Sequence, residues 1–498
     1  MKKNFDAIVI GGGQAGPFLA VRLAAAGQQV AIIERHCFGG TCVNTGCIPT
    51  KTLVASAYNA QMVRRASDFG VQVAGAVRVD MKRVKARKDE ITGKSRRGLE
   101  SWLKNTPNCT VYHGHARFES PKEVRVGDEL LTAPQIFINV GGRAAIPLMP
   151  GVESTPHLTN STLLDLDALP RHLIVVGGGY VGLEFGQIFR RFGSDVTIIE
   201  RASRLIAHED EDVSAEVQAI LEREGIEVRL NATCIELTRH GDEDVGVRLD
   251  CTEGTPEASG SHLLLAMGRT PNTDDLGLEN SGVARDEHGY ILVDNQLRTN
   301  VPGIWALGDC NGRGGFTHTS YNDFEIVAAN LLDHQPRSVT DRITAYNLYI
   351  DPPLGRAGMT ERDARRSDRR LLKGSRPMTR VGRAVEKGES QGFMKVLVDA
   401  DSKEILGATI LGTGGDEAIH CVLDMMYARA PYTAMQRAMH IHPTVSELIP
   451  TILGELQPLQ GDPDARAGAS RAPRSPPAAG RHSGESPPAD PADGNRSG

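Results

Sequence analysis

The chain has 498 residues, enough for about three domains at roughly 150 residues each. Hydrophobic residues make up 40 %, charged residues 24 % and aromatics 5 %, a globular composition with ample chain for several cores. A net charge of −6 gives no global electrostatic case for nucleic acid, eight cysteines are too few for a disulfide-stapled secreted scaffold, and no uncharged run reaches the ~20 residues of a membrane helix.

Glycine is in excess: 54 residues, where average usage of about 7 % would give roughly 35. Met1-Lys2-Lys3 and the apolar stretch from Ala7 superficially resemble a signal peptide. Asp6 interrupts that stretch, and Gly11, Gly12, Gly13 and Gly16 break any apolar helix, so a cytoplasmic location is expected. The same pattern recurs inside the chain. Ile8–Arg35 aligns without gaps with Ile174–Arg201 at a constant offset of 166. Both read as a buried strand, a Gly-rich turn, a helix and a second strand ending in an acid, the start of a βαβ nucleotide-binding unit.

In the first copy, Gly11-x-Gly13-x-x-Gly16 opens the helix and Glu34 ends the second strand. The glycines permit a tight turn, close approach to a pyrophosphate and close helix–strand packing, while the acid accepts from a ribose hydroxyl. Alone the motif is weak and compatible with a plain glycine-rich turn; strand, helix and acid together favour a dinucleotide. Pro17 is tolerated because the first helical turn has no intrahelical N–H bond to lose.

Next comes Gly39–Lys51, GGTCVNTGCIPTK. Cys42 and Cys47, with Gly46 between them and a helix expected over Pro49–Ala66, could close a small disulfide loop. A helix N-terminus favours the thiolate that performs exchange. Two inert buried thiols, or metal ligands, are the alternatives. A metal would want further Cys or His, and only His36 and Cys37 lie near, so no metal site is read. A second helix is expected over Met81–Leu103. Its basic run Lys82–Arg97 reads as a solvated face rather than a nucleic-acid or anion surface. Strands are expected at Thr110–Phe118 and Gln135–Val140, then a turn-rich boundary at Gly141–Gly151.

The second copy repeats every element with Gly177, Gly179, Gly182 and Glu200. Two such sites imply two dinucleotides, commonly FAD and NAD(P). Glu200 would repel a 2′-phosphate and so favours NADH, although Arg201 and Arg204 are near enough to accommodate one. Glu209–Asp212 reads as a first helical turn, where acids suit the macrodipole. The unit ends near Leu263–Gly268, and another strand precedes Gly308-Asp309. Strands at Phe393–Asp399 and Ile405–Leu411 and helices at Gly415–Ala428 and Thr444–Glu455 follow. From Gly461 onward there is no Leu, Ile, Val or aromatic residue, so 461–498 is expected to be a disordered tail. Cys109, Cys234, Cys251, Cys310 and Cys421 are scattered and read as buried or incidental, and Cys37 carries only a weak link to the redox pair.

With these motifs assembled, the chain resembles class I pyridine nucleotide–disulfide oxidoreductases over about Phe5–Gln457. That group includes dihydrolipoamide dehydrogenase, glutathione reductase and mercuric reductase. The resemblance implies an α/β fold of two Rossmann-like domains, for FAD and NAD(P), plus a C-terminal α+β dimerisation domain. The expected boundaries are 1–150 and 271–341 for the FAD domain, 151–270 for the NAD(P) domain and 342–460 for dimerisation. In the family the first cysteine, here Cys42, exchanges with substrate, and the second, here Cys47, is the thiolate against the flavin. Lys51 matches the lysine beside the flavin, Glu184 its ion-pair partner, and Tyr180 the aromatic that covers the flavin until nicotinamide enters. Asp309, within Gly303–Asp309, matches the ribityl-binding aspartate, and Gly268–Asn272 the segment returning to the FAD domain. His442 and Glu447, in HIHPTVSE, match the acid–base histidine and its orienting carboxylate. In the family that segment reaches the partner's disulfide, which implies a homodimer with shared active sites.

The activity so implied passes electrons from NAD(P)H through FAD to Cys42–Cys47 and on to a disulfide, a metal ion or another small acceptor. Ile343–Glu361 and Gly382–Pro450 look most like mercuric reductase-like chains, yet the CxxC domain before Phe5 and the C-terminal cysteine pair of that enzyme are missing. The resemblance there describes ancestry better than activity. Dihydrolipoamide dehydrogenase is the enzyme alternative. A degenerate flavoprotein sensor or assembly subunit is the non-enzymatic one, and the joint presence of Cys42, Cys47, Lys51, Glu184, His442 and Glu447 argues against it.

Overall fold

The two copies of the repeat fold alike. In a computed structural model that describes residues 2–241, 244–250 and 256–459, Ala7–Ile10, the helix Gly16–Ala25 and Val30–Glu34 form one βαβ unit. His172–Val176, the helix Tyr180–Phe192 and Asp195–Ile199 form the other. In both, every residue of the central strand but one at most is buried, which is why these stretches read as continuous apolar runs rather than alternating ones.

The first unit sits in a five-stranded parallel sheet ordered Ile304–Ala306, Gln135–Ile138, Ala7–Ile10, Val30–Glu34, Cys109–His113. Its edge strand comes from far along the chain, with Ile304 opposite Ile136. The second unit sits in a four-stranded parallel sheet ordered Glu227–Arg229, Asp195–Ile199, His172–Val176, His262–Leu265. The turn-rich segment expected after residue 141 contains a short strand, Gly142–Ala144, paired with Arg269–Pro271, so the outgoing and returning connections run side by side. The C-terminal region is a six-stranded antiparallel sheet covered by the helix Gly415–Tyr427. Phe393–Asp399 and Ile405–Leu411 are strands over the bounds expected.

Several expectations need correction. Thr110–Phe118 is two strands, Cys109–His113 in the parallel sheet and Ala116–Ser120 in an antiparallel one, separated at Gly114, which takes a positive φ. Thr444–Glu455 is a 3-10 turn, Ser446–Leu448, followed by a short helix, Ile449–Gly454, because Pro450 suits only a first helical turn. Of the acids expected in a first helical turn, only Glu211 and Asp212 open the helix Glu211–Arg223; Glu209 and Asp210 lie before it, buried against Arg356. The basic helix Met81–Lys104 is not wholly solvated, since Lys88 is buried and Arg96 reaches the Cys37 sulfur. Cys310 is buried and Cys109 and Cys421 partly so. Cys251 and the expected tail 461–498 lie outside the described residues. Among the described residues no helix is long and apolar enough to cross a membrane.

Candidate active site

Both glycine turns need residues without a side chain. Gly11 has φ +106°, and a Cβ there would lie 2.2 Å from the Asn139 carbonyl oxygen; Gly177 has φ +120°, with the Ala266 oxygen 2.3 Å away. Each turn is tied to its acid in the same way. Glu34 accepts from the backbone N–H of Gly12 at 2.8 Å and of His36 at 2.7 Å. Glu200 accepts from Gly178 at 2.7 Å and Ala202 at 2.8 Å. Both carboxylates are thereby fixed at the ends of their strands. Gly16 and Gly182 lie behind the turns, each with the first glycine's oxygen where a Cβ would go.

The turns open into one cavity of about 2050 Å³. Gly11, Gly13 and Glu34 line one part and Gly177, Gly179 and Glu200 another; Cys42, Cys47, Lys51, Tyr180, Glu184, Gly268 and Asp309 line it too. This is larger than the roughly 300–1,000 Å³ of a typical small-molecule pocket.

The thiols sit at consecutive helix starts. Cys42 is on the short helix Gly40–Asn44, and Cys47 is the first residue of Cys47–Arg64, two residues before the expected start. The segment is pressed on the first turn: Gly39 N–H donates to the Gly12 oxygen at 2.7 Å, and a Cβ on Gly40 would be 2.8 Å from the Gly13 Cα. Asn160 clamps its far side by donating to the Thr45 oxygen at 2.8 Å. The Cys47 sulfur lies 3.2 Å from the Thr317 hydroxyl, which itself opens the helix Thr317–Leu331. Two helix N-termini therefore converge on one sulfur and favour its negative form. Both cysteines are free thiols in this structure. Hydrogen bonding from the Cys42 thiol, with further help from Thr317 and the Lys51 charge, outweighs burial and draws Cys47 down to about 6. The same bond, and then burial, pushes Cys42 up. At neutral pH the pair holds one thiolate, on Cys47.

Lys51, one helical turn after Cys47, pairs with Glu184 at 2.6 Å and lies 4.6 Å from the centre of the Tyr349 ring. Glu184 is buried and also accepts from the Tyr349 N–H at 3.0 Å. Tyr180 stands four residues before Glu184 on the same helix face. Burial raises its phenol to about 12.

Asp309 lies in a 3-10 turn, Gly308–Asn311, its carboxyl raised by burial, with Arg269 Nε 3.5 Å away. Asn44 Oδ1 is buried on the cavity wall without a hydrogen-bond partner. Glycine cradles, pinned acids, a buried carboxyl and an orphaned amide oxygen on one wall fit a bound flavin dinucleotide, with a second dinucleotide at the other turn.

His442 and Glu447 meet each other but not the thiols. His442 Nδ1 is 3.0 Å from both Glu447 oxygens, and neither residue lines the cavity. The dyad is flanked by Met439 and Ile441, 99 % and 80 % exposed. Residues not anticipated from the sequence include Thr317, Tyr349 and Asn139. The Asn139 side chain accepts from Gly16 N–H at 2.9 Å and donates to the Leu307 oxygen at 3.0 Å, joining the first turn to the strand end before Asp309. An Asn at a strand end carries no spacing signal that could have found it.

Two dinucleotide turns sharing a cavity with a thiol pair at a helix start define a flavin- and pyridine nucleotide-dependent oxidoreductase. The family described as pyridine nucleotide-disulphide oxidoreductase matches residues 5–323, and its dimerisation domain matches 344–452. The chain belongs to this family, with its two Rossmann-like domains and C-terminal α+β dimerisation domain. It is 38 % identical over 452 residues to the probable pyridine nucleotide-disulfide oxidoreductase RclA of Escherichia coli (strain K12), covering 89 % of this chain and 97 % of that one. It is 33 % identical over 468 residues to a dihydrolipoyl dehydrogenase of Cupriavidus necator, covering 90 % and 97 %. Among solved structures it is similar to the HOCl-induced flavoprotein disulfide reductase RclA from Escherichia coli in its Cu(II) complex. That match has a TM-score of 0.83 and 36 % identity, over 91 % of this chain and 99 % of that one.

Proposed function

We propose that this protein is an NAD(P)H-dependent flavoprotein disulfide oxidoreductase that uses Cys42 and Cys47 to reduce a small acceptor. The observation that carries the reading is the position of the Cys47 sulfur, at two helix starts and 3.2 Å from the Thr317 hydroxyl, in the cavity that both nucleotide turns share. Overall, NAD(P)H and a proton convert a disulfide acceptor into two thiols, or two electrons pass to metal ions. FAD, held at Gly11, Gly13, Gly16, Glu34 and Asp309, supplies the two-electron passage between nicotinamide and the thiol pair.

The chain's residues have distinct tasks. Gly177, Gly179, Gly182 and Glu200 hold the nicotinamide dinucleotide, NADH in preference because Glu200 sets a negative charge beside the ribose. Lys51 keeps positive charge beside the flavin and is itself oriented by Glu184. Tyr180 covers the nicotinamide position and moves aside when the ring enters. Cys47 holds the thiolate, Cys42 exchanges with the acceptor, and His442, oriented by Glu447, moves the proton at the Cys42 sulfur. The exposed dyad and its apolar neighbours support a dimer in which each chain's His442 serves its partner's thiols. The division 1–150 with 271–341, 151–270 and 342–460 belongs to this reading, as does a cytoplasmic protein that needs neither nucleic acid nor membrane.

The shared site is tested with mixed dimers. Cys42→Ser and His442→Asn chains are each expected to lose turnover with any acceptor, the latter by about 10²–10⁴-fold. Co-expressed under separate tags, they form mixed dimers with one intact site, and turnover returns. Mixed dimers as inactive as their parents would place the dyad with its own chain's thiols and sink the arrangement.

For the acceptor, the Cu(II) complex of the RclA relative supports a metal ion. The dihydrolipoyl dehydrogenase relatives support a dithiol–disulfide substrate. A panel of lipoamide, small disulfides, cupric and mercuric ions and quinones, each with NADH and NADPH, separates them.

A further inference from the structure

Tyr180 does not stand alone. Its ring centroid is 5.5 Å from that of Tyr346, which stacks at 5.4 Å and 10° on Phe316. Tyr346 belongs to the strand Ala345–Leu348 of the C-terminal sheet, far in sequence from the nucleotide turn. Its hydroxyl donates to Glu209 Oε1 at 2.6 Å. Glu209 is 1 % exposed and faces Arg356, also 1 % exposed, at 3.5 Å. Arg356 in turn bonds Thr409 of the same sheet. The segment leading to Glu209 crosses the second nucleotide turn, where the Ile206 N–H donates to the Gly178 oxygen at 2.9 Å.

A buried acid facing a buried guanidinium at 3.5 Å is an anchor, and burial makes the Tyr346 hydrogen bond to it costly to break. The Tyr346 hydroxyl is fixed by that anchor, and Tyr180 rests on Tyr346. Nothing in the flavin or thiol chemistry calls for such a contact, and Tyr346 is not among the residues singled out by the sequence motifs.

We propose that Tyr346 is a positioning residue that latches Tyr180 over the nicotinamide position, with Glu209 and Arg356 as its fixed post. The inference rests on the reading of Tyr180 as a movable cover. A latched cover leaves only a fraction of molecules open, and apparent affinity for the entering ring falls in proportion to that fraction. Loosening the latch therefore tightens nicotinamide binding.

The test is calorimetric titration of the oxidised holoenzyme with NAD⁺ and, separately, with ADP-ribose, which lacks the nicotinamide. Tyr346→Phe keeps the ring stack and removes the hydroxyl. It is expected to tighten NAD⁺ binding by about three- to tenfold, the range an ordinary hydrogen bond supports, and to leave ADP-ribose unchanged. Tyr180→Ala is expected to tighten NAD⁺ as much or more, and Tyr346→Phe added to it should do nothing further. If Tyr180→Ala tightens NAD⁺ and Tyr346→Phe does not, the latch is overturned and the cover stands. If Tyr180→Ala itself leaves NAD⁺ unchanged, the cover fails and the latch with it. Equal shifts for NAD⁺ and ADP-ribose in Tyr346→Phe would assign Tyr346 to the loop over Gly178 and overturn the latch as well.

Discussion

The two nucleotide turns share an alphabet and differ in their surroundings. Each has a positive-φ first glycine, a third glycine stacked on the first, and a glutamate pinned by the same pair of backbone N–H groups. Around the first, the walls close in: a Cβ on Gly13 would lie 3.1 Å from Asn139 Oδ1, and Gly40 of the redox segment packs against it. Around the second, a Cβ on Gly179 would meet nothing within 4 Å. The first helix, Gly16–Ala25, starts at Gly16, and the first copy has Gln14 where the second has Tyr180. The second helix begins with Tyr180 and places Glu184 against Lys51. One local code thus serves two environments, a walled turn suited to a resident dinucleotide and an open one suited to a ligand that comes and goes. Part of the difference lies within the repeated segment, at Gln14 against Tyr180 and Phe18 against Glu184, and part in what packs around it.

The largest break in this comparison comes from adding a methyl group to each turn. Gly11→Ala is expected to yield protein without flavin, read from the absorbance of the purified chain. Gly177→Ala should stay yellow while NAD⁺ binding weakens on the order of a hundredfold, as a few kcal/mol of backbone strain implies. Loss of flavin from Gly177→Ala with retention in Gly11→Ala would reverse the assignment.

A smaller effect tests the wall between the first turn and the thiols. Because Cys47 is lowered to about 6, its thiolate persists above that pH and is lost as pH falls through it. The long-wavelength absorbance of the two-electron-reduced enzyme should follow that titration, and Cys47→Ser should lack the band. Cys42→Ala removes the hydrogen bond that does most to stabilise the thiolate and is expected to move the midpoint upward by about one to two pH units, the worth of one hydrogen bond to a charged group. An unmoved midpoint would transfer the effect to Thr317 and the helix ends.

The smallest expected effect concerns the pinned acids. Glu200→Ala should lower the NADH-to-NADPH ratio of kcat/KM by about tenfold, from loss of one charge beside the ribose. Glu34→Ala should leave that ratio alone and weaken flavin retention instead. A ratio unchanged in Glu200→Ala would place nicotinamide choice with Arg201, which lines the same cavity.

The strongest contiguous patterns were legible in the sequence. The strand–turn–helix–strand repeat, both acids, the thiol segment and the strands Phe393–Asp399 and Ile405–Leu411 are each written within a few dozen residues. Lys51 and Glu184 lie 133 positions apart, and only the family resemblance joined them. Asn139, Thr317 and Tyr346 had no such help. Each is one polar or aromatic residue delivered to the site by a different strand or helix end, and no periodicity marks it. Glu209 misled for a related reason. Its run of acids read as a first helical turn because Arg356, which draws Glu209 inward, is encoded 147 positions later.

The strand Ile304–Ala306, which finishes the parallel sheet beneath the first turn, bears on how the chain is made. A ribosome delivers it only after the entire second sheet has emerged, and until then Gln135–Ile138 is a raw edge with unpaired N–H and C=O groups. The second sheet needs no strand later than His262–Leu265. During synthesis the later unit can therefore close while the earlier one waits, so order of completion runs against order of translation. Until Ile304–Ala306 arrives, the unfinished edge beside the first glycine turn is open to mispairing.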